Sequence, residues 1–128
     1  MKIEGLHHIA IICSNYEVSK YFYSEILGFT IEQEVYRKER DSFKLDLSLN
    51  GNYLIELFSF PNPPKRLSFP EATGLRHIAF GVKNLDQWKD YLLDKSIESQ
   101  PIRIDEFTEK RFFFFNDPDG LPIELYEV

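Results

Sequence analysis

Four side chains in this sequence have the types and placement to hold one divalent metal ion: His8, Glu56, His77 and Glu124. Two imidazoles and two carboxylates make a borderline-to-hard donor set without thiolate. It suits Zn²⁺ or Ni²⁺ first, and Co²⁺, Mn²⁺ or Fe²⁺ as well, with water completing an octahedron. Two carboxylates also neutralise the ion's charge. Taken singly, a strand histidine is more often a hydrogen-bonded structural residue, and a strand glutamate usually faces water. What singles these four out is that they come as two equivalent pairs. Residues 6–22, LHHIAIICSNYEVSKYF, superpose on 75–91, LRHIAFGVKNLDQWKDY, placing His8 on His77, Ala10 on Ala79 and Asn15 on Asn84. NGNYLIELFSF (50–60) likewise superposes on PDGLPIELYEV (118–128), placing Glu56 on Glu124.

The elements that must position these residues repeat in the same order. LHHIAII reads as a strand, being apolar and β-branched. Asn15 is placed to cap a helix carrying Val18, Tyr21, Phe22 and Ile26 at helical spacing, and Gly28 marks its stop. Strands are expected over 29–36, 42–49 and 53–60. In the second half, Arg76 to Val82 is a strand, Asn84 caps a helix with Leu85, Trp88, Tyr91 and Leu92 on one face, and strands follow near 97–104, 111–116 and 121–127. Asp117-Pro118-Asp119-Gly120 is a turn between the last two. The proline-rich segment 61–74 links the repeats 1–60 and 75–128 within a single domain, 1–128. Strand alternation puts His8 on one face with Leu6, Ala10 and Ile12, and His77 with Leu75, Ala79 and Gly81. The small residues at 10, 79 and 81 leave room for a ligand there. The bulkier face, Ile9, Ile11 and Cys13 or Ile78, Phe80 and Val82, is expected to cover the helices. His7 is the weaker choice, because Arg76 stands at its repeat position. Glu56 and Glu124 each lie in an Ile-Glu-Leu triplet, and a half-buried charge needs a partner or a metal.

Bulk properties narrow the function classes. The 128 residues are 43% hydrophobic and 28% charged, an ordinary globular composition. A net charge of −6 without a basic face argues against nucleic acid. No apolar run reaches the length of a membrane span, and the start of the chain lacks signal-peptide character. With one cysteine, Cys13, and no internal disulfide, a cytoplasmic location is expected. Weaker candidates are the run Phe112 to Phe115, two rings of which should face the core, and Arg103, Arg111, Lys65 and Arg66 as anion grips. Cys13 reads as an inert buried thiol. No Ser-His-Asp set and no glycine-rich phosphate loop is evident.

HHIAI with FYSEILGF, then YLIEL, RHIAFGV and NDPDGLPIEL resemble the glyoxalase / bleomycin-resistance / extradiol-dioxygenase superfamily, also called vicinal oxygen chelate, over nearly the whole chain. The resemblance places that superfamily's metal ligands on the same four residues, His8, Glu56, His77 and Glu124. It implies an α+β fold of two tandem β-α-β-β-β modules forming an open, barrel-like sheet around the metal. It also implies a homodimer in which His8 and Glu56 of one chain meet His77 and Glu124 of the other. The His/Glu/His/Glu set looks like that of glyoxalase I. The implied activity is a metal-dependent lyase or isomerase acting on a small substrate with adjacent oxygens through an enediolate. Glu124 is the first choice of general base and Glu56 the second. The alternatives are a dioxygenase, a thiol transferase of the antibiotic-resistance type, or a non-catalytic small-molecule binding protein. One departure stands out. Glyoxalase I enzymes tend to carry an Arg four residues after the first ligand and an Asn four after the second, both for glutathione; here these are Ile12 and Phe60.

Overall fold

A computed structural model describes all residues, 1–128. The chain divides into two compact units, Met1–Pro64 and Lys65–Val128. Unit 1 contains β1 (Ile9–Cys13), α1 (Tyr16–Tyr21, continued by a π turn over Phe22–Ile26), β2 (Thr30–Arg37), β3 (Ser42–Leu49) and β4 (Asn52–Ser59). Unit 2 contains β5 (Ile78–Val82), α2 (Leu85–Asp94), β6 (Arg103–Ile104), β7 (Arg111–Asn116) and β8 (Pro122–Glu127). Each unit is therefore a β-α-β-β-β module with its own four-stranded mixed sheet, ordered β1-β4-β3-β2 and β5-β8-β7-β6. The α+β class and the two modules are as expected. The sheet of each module is open, and the strands do not close into a barrel. No helix is long and apolar enough to cross a membrane.

Local chemistry accounts for the element ends. The Asn15 side chain accepts from Val18 N at 3.2 Å and the Asn84 side chain from Gln87 N at 3.1 Å, so both helices start where a donor would otherwise be unpaired. Gly28, at φ 77°, turns the chain out of the first helix while Phe29 N returns to Tyr23 O. Asn50 and Gly51, both at positive φ, close the β3–β4 hairpin as an Asn-Gly turn should. The buried Asp117 carboxylate accepts from Asp119 N and Leu121 N, each at 2.9 Å, and fixes the β7–β8 turn. The one expected strand that fails is 97–104. Pro101 lacks an N–H for the ladder. Only a Ser99–Phe115 bridge and the two-residue β6 remain. Lys89 compensates by donating to Ser99 Oγ and Gln100 O.

The cores lie on the faces turned from the histidines. Leu45, Leu47, Ile55 and Leu57 are fully buried in unit 1; Phe113, Ile123, Leu85 and Leu92 are in unit 2. Truncating any of these leucines to Ala should cost about 2–5 kcal/mol. As the period-2 pattern requires, Phe113 and Phe115 are buried while Phe112 and Phe114 face the other way, half-exposed.

Glu34 on β2 ties α1 to the sheet. It accepts from Lys20 Nζ at 2.7 Å and from the Tyr16 hydroxyl, whose ring stacks on Phe43. These two donors, Lys20 first, hold its carboxyl below the usual range. A depressed folded-state value stabilises the protein above the ordinary carboxylate range, and that contribution is lost as pH falls through the folded value. Glu34→Gln should therefore lower the urea midpoint at neutral pH and match the wild type in strong acid. A constant gap at every pH would show that Glu34 acts through packing instead.

Candidate metal centre

The first histidine of each pair stands just ahead of its strand, and the register does the rest. Ala10 pairs with Glu56 in the parallel β1–β4 ladder, and Ala79 with Glu124 in β5–β8. A residue two positions before each alanine shares its face, which sets His8 beside Glu56 and His77 beside Glu124. The nitrogen–oxygen separations are 3.4 Å for His8 Nε2 to Glu56 Oε2 and 3.2 Å for His77 Nε2 to Glu124 Oε2. Two ligands each about 2.1 Å from one ion at near-right to tetrahedral angles lie about 3.0–3.4 Å apart, so each pair fits two adjacent positions of a coordination shell. Both carboxylates are mostly buried, at 16% and 13% side-chain exposure, while both imidazoles remain a third exposed. Within either unit no group of three such side chains comes together.

The surroundings of the two halves differ. Around Glu56, the Tyr53 hydroxyl donates to Oε1 at 2.6 Å and the Lys44 ammonium lies 3.2 Å from the same oxygen. Lys44 also bonds Asp46 at 2.6 Å. The Tyr53 hydroxyl bond, followed by Lys44, holds the Glu56 carboxyl below its usual range. Burial, helped by Glu56, pushes the Tyr53 hydroxyl up. Oε1 is thus engaged and Oε2 is the oxygen turned to His8. The Nδ1 of His8 meets Nδ1 of His7 at 2.8 Å, which leaves Nε2 on the glutamate side; such outer partners orient a metal-binding imidazole. Asp46 and Tyr53 also line an open hollow of about 550 Å³ with Glu32, Gln33, Ser48 and Gly51, so this side is wet and acidic.

Around Glu124 the neighbours are aromatic. Phe114 is its cross-strand partner and stands edge-on to His77 at 5.1 Å. Room beside the histidines is confirmed at Ala10 and Ala79, both exposed. At Gly81 it is not: a Cβ there would meet the Val128 side chain at 3.0 Å, because Val128 N bonds Val82 O and folds the last residue over the glycine. His7, Lys44, Asp46 and Tyr53 were not singled out in the sequence as part of the site. Lys44 and Asp46 alternate with the core residues Leu45 and Leu47, which was the available signal that they share a face with Glu56. Among the anion candidates, Arg111 is held by Asp86 and Glu127, and Arg66 donates to the carbonyls of Leu75 and Arg76. Cys13 is buried.

Paired β-α-β-β-β modules that each set a His beside a Glu define a fold with a two-by-two arrangement of candidate ligands. The chain belongs to the Glyoxalase/Bleomycin resistance protein/Dioxygenase superfamily, whose description matches residues 5–125. It is 62% identical over 127 residues to the Bacillus subtilis protein YwkD, covering 99% of each chain. It is 59% identical to Escherichia coli YaeR, covering 98% of this chain and 97% of that one. The crystal structure of a glyoxalase family protein from Enterococcus faecalis superposes with a TM-score of 0.91 at 46% identity, covering 99% of this chain and 100% of that one. More distant relatives include Glyoxylase I 4 of Arabidopsis thaliana, 27% identical, and the metallothiol transferase FosB of Staphylococcus haemolyticus, 28% identical. The fold is shared with the fosfomycin resistance protein FosX of Listeria monocytogenes, solved with Mn(II), at a TM-score of 0.76 and 21% identity.

Proposed function

We propose that this protein is a metal-dependent lyase or isomerase of the glyoxalase type, a single domain of two repeats acting as a homodimer on a small substrate with two adjacent oxygens. The observation that carries this reading is the doubled His–Glu pair, each at ligand-to-ligand spacing on the open face of its sheet. His8, Glu56, His77 and Glu124 would hold the ion, with a His8–Glu56 pair from one chain meeting a His77–Glu124 pair from its partner. A divalent ion held there would supply Lewis acidity to the two adjacent oxygens of the substrate. Glu124 takes the proton from one carbon and returns it to the next, because no hydroxyl or ammonium engages it as Tyr53 and Lys44 engage Glu56. Glu56 remains an anionic, oriented ligand. Phe114 excludes water beside Glu124. The reading is tested by elemental analysis of purified protein, followed by a screen of α-oxoaldehyde–thiol adducts with Zn²⁺, Ni²⁺, Co²⁺, Mn²⁺ and Fe²⁺. Oxygen uptake with iron would favour a dioxygenase instead.

Two consequences concern the ligands. His77→Ala combined with Glu56→Ala should abolish stoichiometric metal, and the added ion should no longer raise the melting temperature, since a ligand bound only by the folded state stabilises it. A full metal complement in that double variant would remove the assignment. Mixing His8→Ala protein with His77→Ala protein should restore one intact site per mixed dimer. Neither variant alone should hold a full shell. Failure of the mixture to bind metal, with both variants dimeric, would point to pairing within one chain.

A further inference from the structure

We propose that unit 2 carries an anion subsite at Arg103, on the face of Glu124, so that the substrate bears an anionic group about 10 Å from its adjacent oxygens. This rests on the reading of His77 and Glu124 as ligands. In the order β5-β8-β7-β6, His77 precedes β5, Glu124 lies on β8, Phe114 is its partner on β7, and Arg103 on β6 pairs with Phe112. The guanidinium carbon of Arg103 sits 5.0 Å from the Phe112 ring centre and 5.6 Å from that of Phe114. Phe114 in turn touches His77. Ligand pair, two-ring floor and guanidinium thus form one row. Arg103 lies two strand spacings of about 4.8 Å across and two residues of about 3.4 Å along from Glu124, about 12 Å between backbones, and its guanidinium reaches back to the Phe114 ring, so the row would hold a molecule about 10 Å long.

Arg103 differs from the other arginines of its unit. Arg111 is clamped between Asp86 and Glu127, and Arg66 and Arg76 donate to backbone carbonyls. Arg103 is exposed, makes no ion pair, and gives one hydrogen bond to a neutral acceptor, Gln100 Oε1, at 3.2 Å. Most of its five donors are therefore available. Two aromatic rings beneath a guanidinium hold its plane while leaving its fork for a carboxylate or phosphate. The row is not a by-product of the repeat. The cross-strand partners corresponding to Phe112 and Phe114 in unit 1 are Lys44 and Asp46, which neutralise each other. In unit 1 the arginines Arg37 and Arg40 lie over Phe58 and Phe60, and it is in unit 2 that a cation stands over the ring paired with the ligand glutamate.

The test uses the full-length protein loaded with Ni²⁺ and three hydroxamates, which present two adjacent oxygens to a metal. Calorimetry compares suberic acid monohydroxamate, whose far end is a carboxylate, with octanohydroxamate, whose far end is a methyl, and with the short succinic acid monohydroxamate. The suberic compound should bind roughly ten-fold or more tighter than octanohydroxamate. Arg103→Met should erase that preference and leave octanohydroxamate within about two-fold. Arg103→Lys should restore part of it, and the succinic compound should be indifferent to all three versions. Equal binding of the suberic and octanoic compounds by the wild type, or a preference that survives Arg103→Met, would overturn the subsite while leaving the metal reading intact. Absence of Ni²⁺ binding itself would overturn both.

Discussion

Replacing Glu124 by Gln is expected to lower turnover by about two to four orders of magnitude, the usual worth of a positioned acid–base group, while much of the metal stays bound. The amide keeps an oxygen that can coordinate and loses the basic carboxylate. His8, Glu56 and His77 still supply three ligands. Incorporation of solvent deuterium into the substrate should fall in parallel, because that exchange reports proton abstraction. Glu56→Gln should harm turnover less. In the fold its Oε1 is taken up by the Tyr53 hydroxyl and the Lys44 ammonium, so moving off the metal to carry a proton would break both bonds. Glu124 has His77 as its polar neighbour, at 3.2 Å, and a ring beside it. If Glu56→Gln proves the more damaging to exchange at equal metal content, the base is Glu56 and the clamp a means of activating it.

Catalytic efficiency with the methylglyoxal–glutathione adduct is expected to lie a hundred-fold or more below that of a glyoxalase I. Leaving a buried carboxylate without its charged partner costs several kcal/mol, or a factor of hundreds or more in binding. Ile12, on the open face of β1 and 55% exposed, offers no donor where the resemblance leads one to expect an Arg. Phe60 replaces the Asn and stacks with Phe58. The cations beside it, Arg37 and Arg40, lie against its ring face, 5.6 and 5.0 Å from the centre. Steady-state kinetics with each metal decide the matter. High efficiency with this adduct would make the protein a plain glyoxalase I, and Arg37 and Arg40 would then be the first residues to substitute. With Arg103 as the anion grip, a smaller adduct or oxoacid with one carboxylate about 10 Å from its adjacent oxygens is the substrate class to search.

The two-module plan was legible in the sequence because it is written locally and twice. Asparagine caps, a helix-ending glycine, Asn-Gly and Asp-Pro-Asp-Gly turns, and strands with one apolar face need only near neighbours to act. The four candidate ligands were legible for a related reason: the alternation of a strand tells which residues share a face, and recurrence of His and Glu in both halves tells which of them to compare. What surrounds each pair was decided by tertiary structure. The partners of a strand residue lie across the ladder, far away in sequence, and depend on register. The shift between Leu47 and Ser48 lets the Tyr53 hydroxyl reach both Asp46 and Glu56, and a one-residue slip would turn all of these side chains to the other face. The loss of a ladder bond at Pro101 shortens β6 to two residues and leaves Arg103 at a sheet edge over Phe112 and Phe114. Two halves alike in local pattern therefore hold unlike environments, a charged clamp on Glu56 and an aromatic floor beside Glu124, because cross-strand neighbours are set by the pairing of distant segments.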